Sequence, residues 1–210
     1  MTWIQTASGK VVDLINPDPR TVDPRDIAHH LALINRFNGA THTPYSVAQH
    51  SLLVADIVTA RTAEFRCDED RRKLVLAALL HDAHEAFIGD LSRPMKEAMQ
   101  RVCKNQNPLE VLQTAADVAV FCRFGLSWPL KLHHAELIHE ADMIALATEA
   151  RDLMADPPTP WPKMPDPLNF VIKPLPWAKA EDDFLKRLSS LMDSSHEARF
   201  VFNAITNPAA

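Results

Sequence analysis

Leu74-Val75-Leu76-Ala77-Ala78-Leu79-Leu80-His81-Asp82 decides the fold. Seven successive apolar residues leave no polar side for a helix to turn to water, so this segment reads as a helix buried in the centre of a bundle. Asp68-Glu69-Asp70 opens it with acid, which suits the positive end of a helix dipole. The His81-Asp82 pair that closes it is costly in such surroundings unless something binds it.

Two further segments carry the same signature. Before the central helix lies Thr43-Pro44-Tyr45-Ser46-Val47-Ala48-Gln49-His50. Ser46 followed three residues later by Gln49 is a capping-box pattern, so a helix starts there and holds His50 in its first turn, at an accessible end. Val47, Leu53, Val54, Ile57 and Val58 supply its buried face. After the central helix comes Glu140-Ala141-Asp142-Met143-Ile144-Ala145-Leu146-Ala147, an apolar helix with one acid in its middle. Any one of His50, His81, Asp82 or Asp142 alone would pass for an ordinary capped or solvated polar residue. Together, in the order His, His-Asp, Asp on three helices, they read as one site for a divalent metal. Mixed imidazole and carboxylate donors suit Mn, Fe, Co, Ni or Zn better than Mg or Ca. Four protein ligands also leave positions open for water and substrate, which marks a catalytic rather than a structural metal.

Around this constellation the chain reads as helix almost throughout, an all-α class. Residues 3–14 suggest a short hairpin turning at Ser8-Gly9. Asp23-Pro24 starts a helix, acid at the cap and proline at the first position, and that helix delivers Arg36 at its end. Ser92 caps a helix to about Cys103. Pro108 opens another that stops at Gly125, a glycine suited to the left-handed position after a helix. A long helix covers about 131–154. Asp156 to Pro167 holds six prolines in twelve residues and is not regular structure. With Trp161 as an aromatic anchor, it reads as a rigid strap over the core, extending over 156–176. Two helices, about 178–192 and 195–205, finish a single expected domain spanning 1–210 with its core at 25–155.

The ordered constellation and its flanking blocks identify a family resemblance. His50…His81-Asp82…Asp142 is similar to the HD-domain phosphohydrolase superfamily. Ser46-Val47-Ala48-Gln49-His50-Ser51, His81-Asp82-Ala83-His84-Glu85 and Gly89-Asp90-Leu91-Ser92-Arg93-Pro94-Met95-Lys96 resemble its bacterial 5′-deoxynucleotidase branch and phage-type relatives, some of which hydrolyse deoxynucleoside triphosphates. The resemblance implies metal ligands at His50, His81, Asp82 and Asp142. It implies a water-orienting acid at Glu85, which shares the His81 face if the helix continues. It places a phosphate-contacting arginine at Arg36, an acid near the scissile phosphate at Asp90 and a substrate contact at Arg93. Deoxynucleotidases of this branch carry Trp beside that arginine, packed on the sugar, and here the residue is Phe37. The implied activity is metal-dependent phosphohydrolysis of a deoxynucleotide, the 5′-monophosphate ahead of the triphosphate, with one divalent transition metal as cofactor.

Composition narrows the field. A net charge of −5 argues against a non-specific nucleic-acid or membrane-surface binder. Three cysteines without a Cys-x-x-Cys pair argue against a disulfide framework and for a reducing, cytoplasmic setting. The start of the chain lacks a charged segment followed by an apolar one, and no apolar run is long enough to span a bilayer. The four glycines form no phosphate-cradling loop, so P-loop and dinucleotide readings are excluded. The partners expected are a small nucleotide and further copies of the chain, with no stable nucleic acid and no membrane. His84 and His29-His30 read as surface or solvated histidines. No histidine lies between His84 and His133, which favours one metal over the two of a diiron oxygenase. A guanosine-tetraphosphate hydrolase would show an acidic pair where Glu85-Ala86 stands. A non-catalytic nucleotide sensor would have no use for Glu85.

Overall fold

The computed structural model describes residues 1–104 and 107–192, and the helix expected at 195–205 lies outside them. A two-stranded antiparallel hairpin comes first: β1 (Trp3–Gln5) pairs with β2 (Val11–Asp13), Ile4 opposite Val12. Its turn needs a left-handed residue and finds it in Gly9, at φ 82°. Eight α-helices follow among the described residues: α1 (Pro24–Leu33), α2 (Val47–Arg61), α3 (Asp68–Leu79), α4 (Glu85–Ile88), α5 (Arg93–Val102), α6 (Pro108–Arg123), α7 (Leu132–Leu153) and α8 (Trp177–Met192).

The caps explain where the helices begin and end. Asp23 accepts from Arg25 N at 2.9 Å with Pro24 at the first helical position, and Ser46 Oγ accepts from Gln49 N at 3.2 Å. Past the end of α6, the left-handed position falls to Gly125, at φ 67°. Gly125 N donates to Cys122 O and Leu126 N to Phe121 O, satisfying carbonyls the helix leaves open. The hub is α2, which packs against α1, α3, α7 and α8. Leu74 to Leu80 are all buried, as an apolar segment without a polar side must be. One apolar cluster runs from Val12 and Ile27 through Val54, Leu76 and Phe121 to Phe184 and Leu188.

Residues 156–176 form the strap, and polar clamps hold its second half. Arg151 donates to Leu168 O and Phe170 O, and Asp152 accepts from Ile172 N at 2.8 Å. Gln49 completes only half of its capping box. Its side chain reaches the strap instead, donating to Lys173 O and accepting from Leu175 N, both at 2.8 Å. Ile172 is thereby pressed onto Tyr45 and Leu153.

His29 and His30 are structural rather than solvated. His29 Nδ1 is 3.0 Å from Glu181 of α8, and His30 bridges Ala86 O and Ala7 N, tying the hairpin to α4.

Asp23 supports a stability prediction. It is buried, capped onto α1, and paired with Arg25 and Lys10. Burial works to raise its carboxyl, but Arg25 and Lys10 outweigh burial and hold it well below the usual carboxylate range. A depressed folded value stabilises the fold above the unfolded value of about 4 and is lost as pH falls through the folded one. Asp23→Ala is therefore expected to cost about 1–2 kcal/mol in urea melts at neutral pH. The deficit should persist down to about pH 4 and shrink below it.

Candidate active site

The site is built where α2, the turn after α3 and the middle of α7 converge. His50 lies in the first turn of α2 but not at an accessible end: it is fully buried, because α3 and α7 close over it. Its Nδ1 is 2.6 Å from Glu149 Oε1, which fixes Nδ1–H as the donor there and leaves Nε2 facing inward. His81 repeats the device with a backbone acceptor, Nδ1 to Ala78 O at 2.8 Å. Both Nε2 atoms are buried without a hydrogen-bond partner. The two rings face each other at 5.3 Å between centroids. His50 Nε2 lies 3.2 Å from Asp142 Oδ1 and 3.5 Å from Asp82 Oδ2, and His81 Nε2 lies 3.2 Å from Asp82 Oδ2.

Electrostatics shows what the site wants. Burial and Arg36 pull the His50 imidazole down, yet Glu149 and Asp142 prevail and raise it to about 9. His81 is raised as well, Asp82 overcoming burial. Burial acts to raise Asp82 and Asp142; the imidazoles hold both below their usual value. Carboxylates that drive histidines toward protonation are asking for positive charge between them. His50, His81 and Asp142 offer donor atoms within 4.8 Å of one another, and Asp82 Oδ2 lies within 3.5 Å of both Nε2 atoms, so nitrogen and oxygen donors of the type a divalent transition metal takes converge here.

Glu85 reaches this centre by a route the helix pattern did not suggest. The helix does not continue through His81. It ends at Leu79, and residues 80–84 tighten into turns in which Ala83 N donates to Leu80 O and Glu85 N to Asp82 O. The turn nonetheless brings Glu85 beside Asp82, their acidic oxygens within 4.8 Å. Glu85 Oε2 is buried and unpartnered. Burial, then Asp82 and Asp90, push its carboxyl up to about 10. Asp90 is partly buried nearby, raised first by burial, with Arg36 and Lys96 opposing.

Arg36 enters from the turn at Arg36–Gly39. Its Nε donates to Glu149 Oε2 at 3.1 Å, and Nη1 lies 3.7 Å from Asp82 Oδ2. Its guanidinium carbon sits 5.3 Å from the Phe37 ring centroid. Phe37 (φ 55°) and Asn38 (φ 51°) are both left-handed, a strained arrangement of roughly 1–3 kcal/mol each that concentrates at functional sites.

Arg93 is not brought into the site. It is exposed on α5, with Nε bonded to Glu97 one turn on, at 3.2 Å. His84 is buried rather than superficial: Nδ1 is 3.0 Å from Asp117 and Nε2 3.3 Å from Gln113, bolting the turn to α6.

Glu149 is the residue that sequence reasoning missed. It is fully buried on α7 and holds His50 with one oxygen and Arg36 with the other. Burial would raise its carboxyl, but Arg36 and His50 keep it below its usual value. Its signal was available: it follows Asp142 by seven residues, two helical turns, and so shares that face. Partners that orient a ligating histidine typically matter about 10–100-fold in metal affinity. Glu149→Gln is therefore expected to weaken metal binding by that order in a calorimetric titration, with the fold intact by circular dichroism.

Comparison with known proteins places the chain in a family. Residues 26–150 match the family described as 5'-deoxynucleotidase YfbR-like. An uncharacterized protein of Rhodobacter capsulatus is 37% identical over 153 residues, 72% of each chain. Uncharacterized protein YfdR of Escherichia coli K12 is 31% identical over 202 residues, 92% of this chain and 97% of that one. In class this is an HD-type phosphohydrolase fold carrying a His/Asp centre able to hold a metal. The chain belongs to the YfbR-like 5′-deoxynucleotidase family. No helix among the described residues is long and apolar enough to cross a membrane.

Proposed function

We propose that this protein hydrolyses deoxynucleoside 5′-monophosphates to a deoxynucleoside and orthophosphate, using one divalent transition metal (Mn, Co, Ni, Fe or Zn). The observation that carries the reading is the pair of buried, unpartnered Nε2 atoms of His50 and His81 between the carboxylates of Asp82 and Asp142. These four residues would hold the metal. When bound, it supplies Lewis-acid activation of water and charge neutralisation at a phosphoryl oxygen.

The chain's own groups do the rest. Arg36, already fixed through Nε by Glu149, has its Nη groups left to neutralise phosphoryl oxygens as charge shifts in the transition state. Glu85, whose acidic oxygen lies within 4.8 Å of the Asp82 carboxylate, would aim the attacking water or, in its ionised form, take the water's proton. A P–O bond forms from that water as the bond from phosphorus to the 5′-oxygen breaks, and the leaving 5′-oxygen takes up the proton that the water gave up. Asp90 lies on the side where the 5′-oxygen leaves. Phe37 packs against the sugar.

A second reading is release of tripolyphosphate from a deoxynucleoside triphosphate. Lys96 favours it, because its charge acts on both Glu85 and Asp90 and could serve the longer phosphate chain.

The cofactor assignment is tested by stripping and reloading. Activity against a deoxynucleoside monophosphate should vanish on chelation and return with a transition metal near one per chain. Binding near two per chain, with oxygen consumption, would support the diiron reading instead.

A further inference from the structure

Outside the metal centre, one aromatic contact has no role in the chemistry so far. Trp161 of the strap lies against Phe37, ring centroids 6.4 Å apart and tilted by 57°. Trp161 is only partly buried, so part of its ring remains open. Around it the strap is lightly held. Leu153 O accepts from His42 N before it and Leu168 N donates to Thr148 Oγ1 after it. Among the described residues, none in 156–167 is hydrogen-bonded to the body of the protein. The stretch is stiffened by six prolines, and at its middle Trp161 meets Phe37. On the other side, Phe37 opens a run of three successive residues at positive φ, with Asn38 and Gly39.

Three groups adjoin one another in series, beginning beside Asp82. The Arg36 guanidinium, which reaches Asp82, is followed by the Phe37 ring at 5.3 Å and then the Trp161 ring at 6.4 Å from Phe37. A 5′-nucleotide is ordered in the same way, phosphate, sugar, base. Resting on the nucleotide phosphohydrolase reading above, we propose that Trp161 is the surface on which the base stacks, and that the strap is thereby the nucleoside-recognition element. Trp161 offers a π-face that every base can use, and base–aromatic stacking is tolerant of base identity for that reason. It acts on binding of the ground state and transition state alike, so it belongs in KM and not in kcat.

The test compares a deoxynucleoside 5′-monophosphate with deoxyribose 5-phosphate, which lacks the base. Trp161→Ala should raise KM for the nucleotide by about tenfold, the order that loss of one stacked base brings, with kcat within about twofold. KM for deoxyribose 5-phosphate should stay unchanged, and Trp161→Phe should restore most of the loss. Independently of turnover, the nucleotide should quench the intrinsic fluorescence of the wild type, and Trp161→Phe should abolish that quench while Trp3, Trp128 and Trp177 still emit. A KM unchanged for the nucleotide, or raised equally for both compounds, would reduce Trp161 to a structural anchor and overturn the proposal. If the wild type turns over neither compound, the monophosphate reading fails, and the quench alone then decides whether a base stacks on Trp161.

Discussion

In the Asp82→Ala variant, hydrolysis and bound metal are expected to disappear together. Asp82 Oδ2 lies within 3.5 Å of both inward-facing imidazole nitrogens and 3.7 Å from Arg36 Nη1. It is thus the carboxylate shared by both histidines and Arg36. Removing it leaves Asp142 as the one carboxylate facing the inward Nε2 atoms among the proposed ligands. Metal bound to the native state stabilises it by mass action, about 2.7 kcal/mol when the free metal is a hundred times its Kd. Chelation should therefore lower the Tm of the wild type and leave that of Asp82→Ala unmoved. Metal analysis of the purified variant decides the matter: full occupancy with activity lost would remove Asp82 from the ligand set.

Glu85 separates binding from chemistry. Glu85→Gln keeps shape and burial but gives up the ability to accept a proton. Metal content and substrate affinity should stay near wild type while kcat falls by about 10²–10⁴, the usual contribution of a positioned acid–base group. A near wild-type kcat would reassign Glu85 to packing beneath the turn, with its buried Oε2 left unexplained.

The sequence carried the frame of this site because its signals were local. Asp23-Pro24, Ser46 and Gly125 each act through a cap within a few residues, and each marks a helix end in the structure. The prolines of the strap and the glycine of the hairpin are similarly self-contained. Features that depend on tertiary neighbours were not legible. His84 looked superficial until α6 supplied Asp117 and Gln113. Arg93 was expected as a substrate contact from the resemblance of the Gly89 to Lys96 block alone, which carries no information on which way its side chain lies. Helix α5 has no buried residue, and its roll leaves Arg93 paired with Glu97 in solvent. The break after Leu79 was hidden because an apolar run does not announce where its helix stops. Glu149 shows the middle case: its spacing from Asp142 was visible, but the histidine and arginine it holds lie 99 and 113 residues away in the chain.

The most direct test of the account is the inorganic product. The metal-loaded protein is incubated with deoxynucleoside mono- and triphosphates, and the phosphates are separated by chromatography. The account predicts orthophosphate and a free deoxynucleoside from the monophosphate. Intact tripolyphosphate from the triphosphate, with monophosphates untouched, would contradict it.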